Sequence, residues 1–350
     1  MKTRSFAAAL IAALLINIAA FAAPDTHGNT ARKAEVTRLV TLLPASDAVA
    51  VFEAKRFLND ALPKVLTANQ PMLAEIMAKI TEMETRTGID LRKFDQVVVG
   101  IGYKQISEKE TDFEPVAIAN GDIGAGALIA VAKLASNGAY REEKVGDRTV
   151  FVFTAKDVIQ KTTVKTSNSK IADTIDTALK GISREIAVTA IDKNTLAIGT
   201  LPRVRETLLG QTHVSTDITS LLSQKDTSVM TFGMKTPNGM AKLLPLENDE
   251  LGANIDSIQY VSGSMDVSTL GAGVQLAART RKPDQAQGLK DTLDGLQILG
   301  KAIFGSSKRP DQQVYGHMIK NAKFDVHGND VTLDLLIPQA DIDTLIAGIK

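Results

Sequence analysis

The most constraining feature of this 350-residue sequence is an order of strand and helix patterns that occurs twice. In the first occurrence, a turn at Asp192-Lys193-Asn194 leads into an apolar strand and then to Leu201-Pro202, which opens a short helix. In the second occurrence, Gly328-Asn329-Asp330 leads into a strand, then to Ile337-Pro338 and another short helix. A repeated order of elements indicates duplicated units. We therefore expect two related units.

The segments between these landmarks alternate short apolar strands with amphipathic helices. Helical spacing runs from Pro71 to Gly88, and from Pro283 to Ile303 with Leu289, Leu293, Leu296 and Ile303 on one stripe. Short turns between strands indicate antiparallel hairpins. The sequence predicts an α+β fold of two related units, each an antiparallel sheet with helices packed on one face. Further strands are predicted at 48–52, 96–103, 115–120, 140–144, 149–153, 227–234, 258–267 and 273–280, and further helices at 35–43, 125–135 and around Leu243-Leu244-Pro245.

The predicted boundaries of the units follow polar and turn-rich segments. The first unit covers residues 35–210 and carries an extra hairpin and loop at 140–181. A connector at 211–225 leads to the second unit at 226–350. Residues 23–34 are polar and mixed, and we expect them to form a flexible leader.

The N-terminal segment, residues 1–22, has the three parts of a signal peptide. Lys2 and Arg4 provide positive charge, Phe6–Ala19 is almost wholly apolar, and Ala20-Phe21-Ala22 supplies small residues for processing. The apolar run is shorter than the roughly 20 residues that span a membrane, so removal after Ala22 is favoured over a retained anchor. We expect a periplasmic or secreted protein with no integral membrane span after cleavage.

Composition excludes several classes of protein. The chain has no cysteine, which rules out a lipid-anchored lipoprotein, disulfides and thiolate metal sites. Its 40 basic and 40 acidic residues balance, so we expect no nucleic acid partner. With 44% hydrophobic and 23% charged residues, the chain has the composition of an ordinary globular protein.

The glycine-rich segment Gly121–Ala127 lies between a predicted strand and a predicted helix, where a phosphate-binding loop would lie. Ile129 takes the place of the third glycine of the dinucleotide fingerprint, and no Gly-Lys-Ser/Thr sequence is present. We interpret the segment as a turn with small residues for close helix–sheet packing, and we expect no cofactor.

The histidine and serine patterns also fail the catalytic templates. No two of the four histidines are four residues apart, and a zinc site would need His317 and His327 to meet a carboxylate such as Asp325 or Asp330. Ser167-Asn168-Ser169-Lys170 has the Ser-x-x-Lys spacing but lies in a polar stretch that reads as a loop. We therefore predict neither catalytic nor metal-binding residues.

The helix predicted from Pro71 carries the feature that most indicates a binding function. Flexible methionine side chains suit grooves that accept variable apolar partners, although packing against the sheet is the commoner role of such residues. The candidate apolar groove is formed by Met72, Ile76, Met77, Ile80 and Met83.

Three segments give the chain a family resemblance. Leu43-Pro44-Ala45-Ser46-Asp47-Ala48, Thr87-Gly88-Ile89-Asp90-Leu91 and Asn194-Thr195-Leu196-Ala197-Ile198-Gly199 resemble patterns in an uncharacterised family of exported bacterial proteins with tandem α+β units. The resemblance spans most of the mature chain. It implies export and fold, and it implies no chemistry because such families have none assigned.

Together these patterns favour an exported, soluble, non-enzymatic protein that acts by binding or assembly in the cell envelope, with an envelope protein as its partner. Two alternatives stay open. The first is a carrier of a hydrophobic ligand held between sheet and helices. The second is a hydrolase whose site is assembled from scattered Asp, Glu and Ser residues.

Overall fold

The computed structural model describes residues 28–107, 110–154, 185–222, 227–237 and 249–348. Several predicted features lie outside these ranges: the signal peptide, the start of the leader, the polar stretch with Ser167 and Lys170, and the helix around Leu243-Leu244-Pro245. Within the described ranges, the chain divides into two compact units. The first unit contains residues 28–55 and 71–216, and the second contains 56–70 and 217–348.

The described strands are all paired antiparallel with their neighbours within each unit. They are β1 (Ala48–Phe52), β2 (Phe94–Ser107), β3 (Glu110–Gly121), β4 (Tyr140–Val145), β5 (Arg148–Thr154), β6 (Glu185–Asp192), β7 (Thr195–Gly199), β8 (Ser228–Lys235), β9 (Ile258–Ser268), β10 (Gly271–Thr280), β11 (Lys323–His327) and β12 (Asp330–Pro338).

The helices lie between groups of strands along the chain. They are α1 (Gly28–Leu42), α2 (Ala54–Arg56), α3 (Leu62–Val65), α4 (Gln70–Thr87), α5 (Ala125–Ala135), α6 (Leu201–Leu209), α7 (Thr216–Thr219), α8 (Asp249–Asp256), α9 (Pro283–Phe304), α10 (Pro310–Asn321) and α11 (Gln339–Ala347). A π-helical turn, Phe57–Ala61, connects α2 to α3.

The predicted α+β class is confirmed, and the strands and helices predicted within the described ranges are observed. Helix α1 begins at Gly28, seven residues before the predicted start and inside the segment 23–34 that was predicted as a flexible leader. Helix α10 was not predicted from the sequence. This helix begins at Pro310, a favoured first-turn residue, but Val314 is its single fully buried side chain. A helix with one buried position has no apolar stripe, so its sequence lacks the periodic pattern that indicates a helix.

The two units share an order of strands. In the first unit the order across the sheet is β1-β2-β3-β7-β6-β5-β4, and in the second it is β8-β9-β10-β12-β11. If the β4–β5 hairpin is set aside, the orders are identical. The last residue of β3, Gly121, donates its backbone N–H to the turn carbonyl of Asn194, and Thr280 at the end of β10 donates in the same way to Asn329. The two units thus share a strand order, and their origin by duplication stays a prediction.

The first sheet has helices on both faces, which corrects the prediction that they pack on one face. A Cβ placed on Gly100 of β2 would lie 3.3 Å from Leu43, next to α1, so this helix covers one face. Ile129 of α5 belongs to a buried cluster with Leu196 of β7. The strand registers place Gly100 and Leu196 on opposite faces. Because β2 and β7 carry apolar or small residues on both faces, a helix has to pack on each face to remove these residues from water.

The second sheet has an apolar face and a polar face. Ala278 and Val331 contact Ala286 and Leu289 of α9, so this helix covers the apolar face. On the other face, Arg279 forms a bidentate ion pair with Asp330. This alternation is typical of an antiparallel sheet with one solvated face.

A short segment of the first half of the sequence belongs to the second unit. Residues 56–70 include α3, whose Leu62 and Val65 are buried. The side chain of Gln339, at the start of α11, donates to the carbonyl of Val65 at 3.2 Å. No sequence pattern predicted this exchange.

Candidate interaction surface

Helix α9 is anchored to the second sheet by its first half. Pro283 occupies the first turn, where a missing N–H is harmless, and Asp284 lies near the positive helix N-terminus. Ala286 is fully buried and Leu289 is 4% exposed. This half of the helix therefore contributes to the core, as its sequence predicts.

Helix α10 lies beside the second half of α9. The side-chain amide of Gln297 donates to the carbonyls of Ile319 and Ala322, each at 2.7 Å. A Cβ on Gly300 would lie 2.9 Å from Ile319, so the two helices approach closely at this glycine. These contacts show which side of the second half of α9 packs against α10.

Helix α8 covers part of the opposite side. The amide of Asn254 donates to the hydroxyl of Thr292 at 2.8 Å and to the carbonyl of Gly288 at 3.4 Å. Gly288 and Thr292 lie on the same line of the helix surface as Leu299, which is about two turns further along. The cover that α8 provides ends before that residue.

Beyond α8, four large apolar side chains of α9 are exposed. Leu296, Leu299 and Ile303 follow one line of the helix surface, beside the line that carries Leu289, and Ile298 lies about 100° further around the helix from Leu299, with the small residues Gly295 and Ala302 between them. Their exposed fractions are 46%, 60%, 69% and 66%, respectively. We call these four side chains the outer face of α9. Contiguous apolar surface of this kind marks interaction sites, whereas single exposed apolar residues need no explanation.

The helical spacing predicted Leu296 and Ile303 on one stripe with Leu289. The structure buries Leu289 but exposes the other two, because the helix extends beyond α8 and only one side of its second half contacts α10. A signal for the exposed face was present: Ile298 and Leu299 are apolar residues outside the stripe, and a one-stripe helix does not need them.

Opposite charges stand at the two ends of the outer face. Asp291 precedes it on the same side of the helix, and its carboxylate accepts a hydrogen bond from Gln287 at 2.7 Å. Lys308 and Arg309 follow the end of the helix, and Arg309 is paired with Asp311 at 2.7 Å. The surface is thus apolar in its middle, acidic at one end and basic at the other.

The predicted groove residues lie on α4. Ile80 is 7% exposed and belongs to the core. Met72, Ile76, Met77 and Met83 are each partly buried. Their role as a groove stays a prediction.

The glycine-rich segment is a structural turn. Gly121 has a φ of +155°, and a Cβ there would lie 2.0 Å from the carbonyl oxygen of Lys93. The N–H of Gly121 donates to Asn194, and that of Ala125 donates to Lys193 at 2.8 Å. Two amides that would face a phosphate are therefore engaged by the β6–β7 turn.

The histidine on α10 pairs with a buried carboxylate. His317 Nδ1 lies 2.9 Å from Asp341 Oδ1, and the Asp341 side chain is 11% exposed. His327 lies on β11, the edge strand of the second sheet. Within the described ranges, no group of three or more His, Asp or Glu side chains is arranged to hold a metal ion.

The family-like segment Leu43–Ala48 forms a buried polar cluster in the first unit. The Ser46 hydroxyl accepts a hydrogen bond from Arg203 Nη2 at 2.7 Å, and Arg203 Nη1 donates to Glu206 at 2.6 Å. Asp47 accepts from the backbone N–H of Tyr103 at 2.9 Å. Burial, and then the charge of Asp47, raise the pKa of Tyr103 above its usual range. These hydrogen bonds hold the start of β1 in place, so the role of this polar cluster is structural.

Two cavities are small. One of about 190 Å³ opens beside Tyr140, Phe153 and Glu185. The other, of about 70 Å³, is lined by residues that include Lys235, Asp256, Tyr260 and Arg281. Among the helices that the structure describes, none has the length and apolar character needed to cross a membrane.

Comparisons with known proteins add little to this description. No protein-family model matches the chain, and no curated protein matches it. Among solved structures, crystal forms I and III of TP0453 match with TM-scores of 0.42 at 9% and 10% identity, each covering 89% of this chain and 97% of the other. Crystal form IV matches with a TM-score of 0.41 at 11% identity, covering 88% and 96%. Similarity at this level carries no argument about function.

Proposed function

We propose that this chain is a non-enzymatic protein that acts by binding or assembly, and that the outer face of α9 is its interaction surface. The observation that carries the proposal is the exposure of four large apolar side chains on consecutive turns of one helix. Full burial of one such side chain contributes about 1.5–3 kcal/mol, so covering all four offsets a substantial part of the cost of association.

The rigidity of the surface supports this proposal. Gln297 and Gly300 hold α9 against α10, and Leu289 holds it against the sheet. Because the helix is fixed before a partner arrives, little conformational entropy is lost on binding. We further propose that the protein works in the cell envelope after removal of residues 1–22, as the N-terminal pattern indicates.

A photo-crosslinking experiment tests the proposal. We place p-benzoylphenylalanine at Ile298 in the chain expressed in its native host, and at Leu134 in a control chain. Leu134 lies near the end of α5 and is 78% exposed, so it matches Ile298 in exposure but stands outside the outer face. We expect discrete crosslinked adducts from position 298, their loss when Leu299→Asp is added, and none from position 134.

The absence of adducts at position 298, or the same adducts from both positions, would contradict the proposed surface. N-terminal sequencing of the same purified chain tests the compartment. We expect it to begin at Ala23 if residues 1–22 are removed.

A further inference from the structure

We propose that the occupant of the outer face is the surface of an anionic phospholipid bilayer, which the second half of α9 and the turn after it contact without crossing. This inference rests on the proposed function and names the partner of that surface. It follows from the width of the apolar face, from the charges that border it and from the hydrogen bonds of the turn.

The outer face is a wide arc of the helix surface. Successive residues of an α-helix are about 100° apart, so its side chains cover an arc of about 160°. Gly295 and Ala302 lie inside this arc, and from Gly295 to Phe304 no polar side chain interrupts it. A single partner helix needs only a narrow apolar seam, whereas a lipid surface accepts a broad apolar face that projects from the protein.

The charges beside the apolar arc are basic. Residues 295–310 include Lys301, Lys308 and Arg309 but no aspartate or glutamate, although the whole chain has 40 basic and 40 acidic residues. All three of these residues are exposed. Lys301 borders the arc on the side of Ile298, about 60° further around the helix. Exposed cations beside an apolar helix face are the pattern by which surface-bound helices recognise anionic lipid.

The acidic residues of α9 lie towards its other end. Asp294 is paired with Lys290 at 2.5 Å, and Asp291 precedes the outer face, in the half of the helix that α8 covers in part. An anionic surface repels this end and attracts the end that is followed by Lys308 and Arg309. The helix therefore tilts on the bilayer, with its last two turns among the lipid head groups and its first half in water.

The turn after α9 is suited to a lipid interface because its polar groups are bonded within the chain. The Ser307 N–H donates to the carbonyl of Phe304 at 3.2 Å, and the Arg309 N–H donates to the Ser307 hydroxyl at 3.2 Å. The Ser307 hydroxyl donates to Gln312 at 2.5 Å, and its carbonyl accepts from the Gln313 amide at 3.1 Å. Groups that are already bonded in the protein lose little when the turn leaves water.

A single tryptophan tests the contact, because the chain has none of its own. We place it at Ile298, and at the 78% exposed Leu134 in a control chain. Each purified chain, as the cell processes it, is titrated with phosphatidylcholine vesicles that contain about 30% phosphatidylglycerol. The emission of Ile298→Trp should shift to shorter wavelengths and become protected from acrylamide, whereas that of Leu134→Trp should change little. Vesicles of phosphatidylcholine alone should produce a much smaller shift.

Vesicle flotation of substituted chains tests which side chains carry the binding. Leu299→Asp should lower the partition coefficient by about 10-fold or more, because it places a carboxylate in the apolar arc. Lys308→Glu should lower it by about 5- to 30-fold, since attraction to the anionic surface becomes repulsion. The exposed controls Leu134→Asp and Lys193→Glu carry the same changes of charge and should bind as the natural chain does. Circular dichroism spectra should agree among all variants, because every substituted side chain is exposed.

Mass spectrometry of the adducts from p-benzoylphenylalanine at position 298 separates this inference from the proposed function. Adducts that carry one phospholipid support both. Protein adducts alone, from a chain that does not bind the anionic vesicles, overturn the lipid assignment and leave the interaction surface intact. Equal binding to neutral vesicles, or binding that Leu299→Asp leaves unchanged, also overturns the lipid assignment. A chain with neither vesicle binding nor any adduct from position 298 refutes both.

Discussion

Arg203 is a cation held inside the first unit by short polar contacts. The residue is 4% exposed, and its guanidinium contacts the Ser46 hydroxyl and the Glu206 carboxylate. Ser46 donates in turn to the carbonyl of Pro44 at 2.8 Å. Among the described residues, Arg203 Nε is buried without an acceptor, so the two terminal nitrogens carry the polar contacts, and each further unsatisfied donor would be costly.

Ser46→Ala should therefore destabilise the protein by about 1–3 kcal/mol, because it leaves a buried Arg203 nitrogen without its acceptor. Urea unfolding followed by circular dichroism measures the change. Arg205→Ala on the same helix is the control, since Arg205 pairs with Glu143 at a 45% exposed side chain and should cost less than about 1 kcal/mol. Equal effects of both substitutions would argue against a special role for the buried contact.

At the residue scale, the sequence predicted the turns better than the polar contacts. Gly88 ends α4 with a φ of +69°, and Asp90 accepts the N–H of Arg92, both local features of the Thr87–Leu91 segment. The contact of Ser46 with Arg203 joins residues 157 positions apart. No local pattern indicates such a pair, because only the packing of α6 against the first sheet, with Arg203 next to Gly102 of β2, brings them together.

At the scale of elements, α9 shows that a helical sequence pattern does not determine which neighbours a helix packs against. Gly295 and Gly300 are five residues apart, and the sequence gives no reason to expect different surroundings for the two glycines. A side chain at Gly300 would press on Ile319 of α10, whereas one at Gly295 would meet open space. The difference lies in the neighbouring helix, which the sequence analysis missed.

Gly300→Val should cost about 1–3 kcal/mol by forcing α10 away from α9. Gly295→Val, the matched control, should stay within about 0.5 kcal/mol of the parent because its space is open and valine is the better helix former. Both are measured by thermal unfolding of the purified chain. A larger loss at Gly295 would show that the packing of α9 is not as described.

The candidate surface was itself only partly predictable at this scale. The sequence indicated an amphipathic α9 and an apolar α4, and it favoured α4 as the binding element. The structure exposes four apolar residues on α9, whereas the α4 candidates are buried or partly buried. Exposure depends on where α8 ends and which side α10 covers, and neither fact is encoded in the local periodicity of α9.

At the scale of the whole molecule, the chain order and the units do not coincide. The chain leaves the first unit after α2 begins, contributes residues 56–70 to the second unit, and returns to the first with α4. Leu62 and Leu66 are 8% and 3% exposed, so this segment adds buried apolar area to a unit formed otherwise from the second half of the sequence.

Leu62→Ala should therefore destabilise the second unit, although Leu62 lies in the first half of the sequence. A cost of about 2–5 kcal/mol is expected for a buried leucine. Hydrogen–deuterium exchange should accelerate in β10, β12 and α11 more than in β5–β7. The control Ile129→Ala, from the cluster beneath α5, should show the reverse pattern. Faster exchange in the first unit alone for Leu62→Ala would contradict the division.

The sequence by itself determined the α+β class, the antiparallel hairpins and the repeated order of elements, because turns, proline starts and apolar alternation act over a few residues. Only the tertiary structure decided that helices cover both faces of the first sheet, that residues 56–70 join the second unit, and that the outer face of α9 is left exposed. These features depend on which elements pack together although they are distant in the sequence. Whether a side chain is buried is decided by that packing, because no short segment can remove its own apolar surface from water.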